Sequence, residues 1–186
     1  KSLLHACKAA VGGHIEKPEF VVLGDKKVAY LVVSKAACSS IKKAMVAGIV
    51  DEDIKDNYSI HQNRKVAQLT VRGRFPDAEQ CHVFTYVRNP FSRIVSSYIN
   101  KFEDFEKIRM VGFEYADYLG GYLEMSDSFE AFVEKVCNIP DRLSDRHFMG
   151  QYYLIHSLSP RLPDQIEKLE EIERSFPALS EHYGFG

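Results

Sequence analysis

The chain has 186 residues, 45% of them hydrophobic, and its 24 Lys and Arg against 26 Asp and Glu give a formal net charge of −2. This length and hydrophobic content predict one α/β domain over residues 1–186. The missing basic excess excludes general nucleic-acid binding, so any site for a polyanion must be local.

The sequence predicts no membrane-spanning helix, because no run of about 18 apolar residues occurs. The first residues, KSLLHACKAAVGG, are too short and too polar for a signal peptide, and a start at Lys1 without Met leaves room for a removed upstream segment. The cysteines Cys7, Cys38, Cys81 and Cys137 show no CxxC spacing, so neither a zinc site nor a dense disulfide framework is expected. A pair such as Cys7 with Cys81 fits an oxidising lumen, and the redox compartment stays open.

The first predicted unit is a strand, a tight loop and a helix. VAYLVV (28–33) is short and β-branched, which is typical of a buried strand, and it stops at Ser34 and Lys35. The following SSIKKAMVAGIV has apolar residues at helical spacing, and Ser39 or Ser40 is the expected N-cap.

A second unit of the same kind follows a polar stretch. VAQLTV (66–71) is predicted as helix or irregular connection before the turn-like RGRFPD. CHVFTYV (81–87) is the second buried strand and ends at Arg88. Asn89 and Pro90 then supply an N-cap and a proline at the first helical position.

The remaining elements alternate between strong and weak patterns. Apolar residues recur at spacings of three and four over 91–105, as in an amphipathic helix. Residues 106–126 show no clear period, whereas SFEAFVEKVCNI (128–139) is helical, with Ser126 or Asp127 as the expected cap. Strands that alternate with helices predict a parallel sheet covered by helices on both faces.

The loop after the first strand is typical of an anion site. A lysine in the turn and small hydroxyl residues at a helix start add donors to the helix N–H groups that point at an anion. The nucleotide-binding pattern GxxxxGK[ST] is absent, because no glycine occurs from 31 to 47 and Lys35 precedes the turn. Taken alone, the stretch fits an ordinary exposed turn as well as a phosphate site.

The second unit strengthens the phosphate hypothesis. It places Arg88 at the strand end and Ser96 eight residues later, about two helical turns into the next helix. Each residue alone is compatible with a surface ion pair or an ordinary helix position. Two units that each offer a cation and a hydroxyl at the carboxyl edge of one sheet favour a site for two phosphates.

These motifs resemble those of a known family. SKAACSSIKKA resembles the 5′-phosphosulfate loop, and YVRNPFSRIVSSYINKF the 3′-phosphate motif, of the sulfotransferase family that includes the Golgi carbohydrate sulfotransferases (chondroitin, dermatan and heparan 2-O) and bacterial relatives. The second motif, Val-Arg-(Asp/Glu/Asn)-Pro-Phe-x-Arg-x-Val-Ser-x-Tyr-x-x-Lys-Phe, is complete. In the first, Ser34 replaces the usual proline and Ile41 a frequent tryptophan, whereas Lys35, Cys38 and Ser39 match.

The similarity extends beyond the two motifs. IHQN matches a family histidine at His61, and RHFMGQY (146–152) is similar to a His-Trp-x-x-Gln segment. The resemblance implies a P-loop-like three-layer α/β sandwich whose central, mainly parallel sheet is flanked by helices. It also makes DQIEKLEEI (164–172), which has the composition of a helix, a short strand that runs into a helix from about Leu169.

The resemblance implies a carbohydrate O-sulfotransferase that uses 3′-phosphoadenosine 5′-phosphosulfate (PAPS) without a metal. Lys35 would stabilise the charge on the bridging oxygen, and His61 would take the proton of the acceptor hydroxyl. Arg88 and Ser96 would bind the 3′-phosphate. The 5′-phosphate ligands would be Lys35, Ala36, Ala37, Cys38, Ser39 and Ser40.

Other residues keep two interpretations. His147 and Gln151 line the donor or acceptor pocket or merely pack a loop, whereas His82, in a buried strand, is expected to be structural. Four arginines bind an anionic acceptor or form a solvated surface. These arginines are Arg72, Arg74, Arg142 and Arg146.

Two alternative functions remain open at this stage. One is a P-loop nucleotide kinase or NTPase, which the missing glycines and the missing magnesium-binding carboxylate disfavour. The other is a non-catalytic domain that binds a nucleotide or a glycan. A Golgi lumen with a removed anchor and a bacterial cytoplasm are both compatible with the sequence, and no motif names the acceptor or the oligomeric state.

Overall fold

A computed structural model of the chain describes residues 16–47, 49, 60, 63–74 and 80–185. The chain divides into two compact units. The sheet unit comprises Lys17–Asn89 and Gln151–Gly186, and the helical unit comprises Lys1–Glu16 and Pro90–Gly150. The single domain inferred from chain length stays a prediction.

The sheet unit is built on five strands in the order β3-β1-β2-β4-β5. The strands are β1 (Glu19–Leu23), β2 (Val28–Leu31), β3 (Thr70–Arg72), β4 (His82–Val87) and β5 (Gln165–Lys168). β1 pairs antiparallel with β2 and with β3, whereas β2–β4 and β4–β5 are parallel. The sheet is therefore mixed, and the prediction of a mainly parallel sheet is wrong because β1 and β3, which the sequence analysis missed as strands, add two antiparallel pairings.

Seven helices occur among the described residues. They are α1 (Cys38–Val46), α2 (Arg64–Gln68), α3 (Pro90–Tyr98), α4 (Phe105–Val111), α5 (Phe129–Cys137), α6 (Gln151–Tyr153) and α7 (Ile172–Tyr183). Turns of π-helix, Ile99–Glu103 and Leu154–Leu158, continue α3 and α6, and 3₁₀ turns form Asp141–Leu143 and Leu169–Glu171. None of these helices is long and apolar enough to cross a membrane.

The central strands are continuous apolar runs because they are buried. All four residues of β2 and the four inner residues of β4 are buried, as parallel strands between covering layers require. Tyr30 and Phe84 are partners in the parallel register, and their rings stack with centroids 5.3 Å apart. Ile41 and Met45 of α1 pack into the same core cluster.

The edge strand β5 confirms the strand that the resemblance implied in a segment of helical composition. Its residues alternate between half-buried and exposed, and Phe84 to Val87 of β4 provide parallel partners. Asp164, just before the strand, accepts a hydrogen bond from the Val83 N–H at 2.7 Å. A 3₁₀ turn from Leu169 then leads into α7, as expected.

Two predicted helix caps are wrong. Helix α1 begins at Cys38, and its N-cap is Ala37, so Ser39 and Ser40 lie inside the first turn. Helix α5 is capped by Ser128, whose side chain accepts the Ala131 N–H at 3.3 Å, rather than by Ser126 or Asp127. The predicted start of α3 at Pro90 is confirmed.

The helical unit has an aromatic core. The predicted helix over 91–105 is interrupted, because α3 ends at Tyr98 and a π turn follows that buries Lys101 and Phe102 together. Phe102 contacts Phe132 of α5 with ring centroids 4.8 Å apart. Helix α4 lies in the segment that showed no period. The buried members of this core are Phe102, Tyr115, Leu123, Phe132, Val136, Ile139 and Phe148.

A buried ion pair joins α1 to β1 in the sheet unit. Lys42 donates to Glu19, and their side chains are only 5% and 4% exposed. Arg72 of β3 also contacts Glu19, with Nε 3.2 Å from Oε2, although its own side chain is largely exposed. The pair therefore fixes the helix that follows the candidate phosphate loop against the sheet.

The Lys42 contact predicts a large difference between adjacent lysines. Lys42→Ala should lower the free energy of unfolding by about 3 kcal/mol, because it removes the buried cation that pairs with the buried Glu19 carboxylate. Lys43→Ala, on the exposed face of the same helix, should change it by less than about 0.5 kcal/mol. Urea unfolding of both variants measures the two values, and equal losses would contradict the structural role of the pair.

Candidate functional site

The loop between β2 and α1 takes a strained backbone without any glycine. Lys35 has φ of 66° and Ala37 has φ of 57°, both in the left-handed region. For residues other than glycine this conformation costs about 1–2 kcal/mol each. The Ala36 N–H donates to the Val33 carbonyl at 3.3 Å, and the Ile41 N–H to the Ala37 carbonyl at 3.0 Å. The chain thus turns sharply and enters the helix at once.

Turns that combine left- and right-handed residues form concave groups of backbone N–H donors that bind anions. Such strain persists mainly where surrounding structure holds it, and functional loops are its usual place. The buried residues on either side of Lys35, Ser34 and Ala36, are 5% and 0% exposed and anchor the turn, while the Lys35 side chain is half-buried.

The start of α1 lacks the residues that usually neutralise a helix N-terminus. Ala37 gives no side-chain hydrogen bond to the helix, and the first turn contains no acidic residue. The positive end of the helix dipole is therefore not neutralised by a cap or a carboxylate from this turn. Cys38 and Ser39 are half-buried and Ser40 is exposed. The predicted 5′-phosphate ligands thus share one loop and one helical turn.

Arg88 lies next to this loop. It follows β4, and its Nη1 donates to the Lys35 carbonyl oxygen at 3.2 Å. The parallel pairing of β2 with β4 explains the contact, because it brings the carboxyl ends of both strands to one edge of the sheet. The structure therefore brings together two of the predicted site residues, Lys35 and Arg88.

Side chains from later in the sequence hold the backbone at the end of β4. Gln151 Oε1 accepts the Arg88 N–H at 2.9 Å, and Gln151 Nε2 donates to the Arg88 carbonyl at 2.8 Å. Glu170 Oε1 accepts the Asn89 N–H at 2.7 Å. This bond, and to a lesser extent the charge of Arg88, lowers the pKa of Glu170. Gln151 thus contacts the Arg88 backbone, and its place in a donor or acceptor pocket stays a prediction.

Ser96 lies in the helical unit, on α3, and is half-buried. Its neighbour Ser97 is buried and donates to the His147 carbonyl at 2.6 Å. Arg93 is also buried and donates to the carbonyls of Met149 at 2.8 Å and Arg146 at 2.9 Å. Ser97 and Arg93 therefore hold the segment that contains His147.

His147 belongs to a polar cluster of the helical unit. Its Nδ1 lies 2.6 Å from Asp145 Oδ1, and the same oxygen accepts the Tyr115 hydroxyl at 3.0 Å and the His147 N–H at 2.9 Å. Burial by itself raises the pKa of Asp145. These hydrogen bonds and the nearby imidazole outweigh that effect and lower the pKa to about 2. The carboxylate therefore stays ionised and orients the ring.

Some predicted residues are separate from these contacts. His61 lies outside the described residues, as does Cys7, so the suggested Cys7–Cys81 pair stays a prediction. His82 lies 3.2 Å from the Gln165 side chain and stacks on Tyr183. These contacts agree with its expected structural position at the start of β4.

Two of the four arginines proposed as acceptor ligands already have acidic partners. Arg72 pairs with Glu19, and Arg146 Nε lies 3.0 Å from Glu16 Oε2. Arg74 and Arg142 are exposed.

A family model described as "Sulfotransferase family" matches residues 18–185. Neither the curated proteins nor the solved structures gave a match. The matched range includes the loop at Lys35, the segment from Arg88 to Ser96, and His61.

The strained loop predicts opposite effects of glycine at adjacent alanines. Ala37→Gly should leave the free energy of unfolding unchanged or raise it by up to about 1 kcal/mol, because glycine relieves the left-handed strain. Ala36→Gly should lower it by about 1 kcal/mol, since Ala36 is fully buried and lacks a positive φ. Urea unfolding measures both free energies. If Ala37→Gly lost as much stability as Ala36→Gly, the left-handed strain at Ala37 would be contradicted.

The Asp145 cluster predicts a loss of stability in acid. The folded pKa of about 2 lies below the ordinary 3.8, so the carboxylate stabilises the fold above pH 4, and this is lost as the pH falls towards 2. The contribution is about 2 kcal/mol. Asp145→Asn should flatten this part of the pH profile of unfolding, whereas Asp117→Asn, at an exposed aspartate, should follow the wild type. An unchanged Asp145→Asn profile would refute the assignment.

Proposed function

The chain belongs to the sulfotransferase family, and we propose that it transfers a sulfuryl group from PAPS to a hydroxyl of a carbohydrate acceptor. The observation that carries the proposal is the Lys35 loop, where a strained turn and an uncapped helix start lie beside a second cation, Arg88. Sulfuryl transfer resembles phosphoryl transfer, an in-line displacement that depends on positioning and charge stabilisation.

The loop would bind the 5′ end of the donor. The backbone of Ala36 to Cys38 and the hydroxyls of Ser39 and Ser40 are the proposed ligands of the 5′-phosphate. Negative charge grows on the bridging oxygen as the sulfur–oxygen bond breaks, and the Lys35 ammonium would stabilise that charge more than it stabilises the ground state. Lys35 is therefore the proposed catalytic cation, and no metal is needed for this role.

Arg88 and Ser96 would bind the 3′-phosphate, which distinguishes PAPS from ATP and from adenosine 5′-phosphate. A guanidinium binds phosphate through several charge-assisted hydrogen bonds. Gln151 holds the backbone of Arg88 just after β4, and this defines the point from which the arginine side chain extends. Ser96 enters the proposal through the sequence motif.

His61 is the proposed base for the acceptor hydroxyl. A histidine with a pKa near 6.5 can accept the proton at neutral pH as the new bond forms. The carbohydrate class of the acceptor rests on the resemblance of the two nucleotide motifs to those of the carbohydrate sulfotransferases.

A sulfate-transfer assay over a glycan panel tests the proposal. With labelled PAPS and chondroitin, heparosan and simple phenols as acceptors, we expect transfer to a glycan. Lys35→Ala should lower kcat on the order of 10²–10³-fold, as removal of a transition-state donor does. Lys27→Ala is the matched control, because Lys27 is an exposed lysine with a similar φ of 51° in the turn between β1 and β2.

Other outcomes would reject parts of the proposal. Binding of adenosine 3′,5′-bisphosphate without transfer to any acceptor would leave only the donor site. Equal activity of wild type, Lys35→Ala and His61→Ala with retained ligand binding would favour a non-catalytic module. Tighter binding of ATP with Mg²⁺ than of adenosine 3′,5′-bisphosphate would favour a nucleotide kinase or NTPase.

A further inference from the structure

We propose that Gln151 is a positioning residue that sets the Arg88 guanidinium for the 3′-phosphate. The inference rests on the proposed function, because it assumes that Arg88 binds that phosphate. It adds a residue that the motif of the donor site does not contain, 63 positions away in the chain.

The Gln151 carboxamide replaces a neighbouring strand at Arg88. Val87, the last residue of β4, is paired with Lys168 of β5. At the next residue, the N–H and the carbonyl of Arg88 bond the Gln151 side chain instead, at 2.9 and 2.8 Å. One planar amide thus satisfies both backbone groups of one residue.

The two hydrogen bonds from Gln151 restrict the Arg88 backbone. In an extended strand the N–H and the C=O of one residue point to the same side, so one amide that binds both groups favours an extended backbone at Arg88. Asn89 is held in turn by Glu170, and α3 starts at Pro90. Loss of the Gln151 bonds would free the backbone torsions that decide where the arginine side chain starts.

The fixed backbone directs the guanidinium to the Lys35 loop. Among the described residues, the Arg88 guanidinium donates through Nη1 to the Lys35 carbonyl at 3.2 Å. An arginine has five N–H donors in a planar fork, so further donors can bind a phosphate while this bond persists. Misplacing the fork would weaken phosphate binding without removing the charge.

Gln151 itself is well anchored. It begins α6, and the π turn that follows places Leu154 and Ile155 in the protein interior, each 3% exposed. Its amide is half-buried, which limits competition from water. A residue held in this way can transmit a fixed position to the Arg88 backbone.

The test compares two nucleotides that differ only in the 3′-phosphate. Calorimetry gives the Kd of adenosine 3′,5′-bisphosphate and of adenosine 5′-phosphate for the full chain. Gln151→Met keeps the side-chain length but removes both hydrogen bonds. We expect it to weaken binding of the bisphosphate about tenfold, which corresponds to about 1.4 kcal/mol, and to change binding of the monophosphate less than about twofold.

Gln165→Met is the matched control. Gln165 is a half-buried glutamine of the same unit that bonds His82 and Glu167 at the start of β5. It should keep the wild-type preference for the bisphosphate. Gln151→Met in an Arg88→Ala background should cause no further loss of bisphosphate affinity, because the effect acts through Arg88.

The outcomes separate the inference from the proposed function. A wild type without preference for the bisphosphate would overturn the donor assignment itself. A wild-type preference that Gln151→Met retains, or that Gln165→Met loses equally, would overturn the role of Gln151. If Gln151→Met does not fold, Gln151→Asn, whose shorter stem withdraws the amide, takes its place with the same expected loss of preference.

Discussion

The candidate site depends on a turn that holds two residues other than glycine in the left-handed region. Lys35 and Ala37 each carry a cost of about 1–2 kcal/mol, which the rest of the sheet unit must offset. The rigid, buried strand β2 leads into the turn, and α1, fixed by the Lys42–Glu19 pair, leads out of it. With both ends held, the chain has no room to relax, and the Arg88 guanidinium adds a bond to the Lys35 carbonyl.

The mixed sheet divides two tasks between its halves. The parallel neighbours β2 and β4 bring two carboxyl ends to the same edge, and each of these ends is followed by a cation, Lys35 or Arg88. The antiparallel half contributes Glu19, which pairs with Lys42 of α1, and Arg72, which contacts Glu19. The antiparallel strands therefore stabilise the helix whose start forms the site, and the parallel strands position its charges.

The sequence predicted what depends on local pattern and missed what depends on distant partners. The buried strands β2 and β4 were found because they are continuous apolar runs. Strand β1 was missed because it begins with Glu19, a charge that is buried beside its partner Lys42.

The true caps and the strand β5 show the same limit. Residue propensities do not indicate that an alanine such as Ala37 takes a left-handed conformation and becomes the N-cap. Composition favoured a helix over 164–172, and pairing with β4 overrode it. Lys35 and Arg88 were identified by motif, but the contacts of Gln151 and Glu170 join residues 63 and 81 positions apart. No pattern within one segment carries that information.

The segment from Arg88 to Phe102 combines residues for folding with residues for binding. Arg93 holds the carbonyls of the segment before Gln151, Lys101 pairs with Glu114, and the Tyr98 hydroxyl donates to the Asp127 carbonyl at 2.9 Å. These contacts account for three positions of the 3′-phosphate motif within the helical unit. Because packing explains these positions, a match to the motif alone does not identify ligands, and the three residues stay outside the binding proposal, which names Arg88 and Ser96.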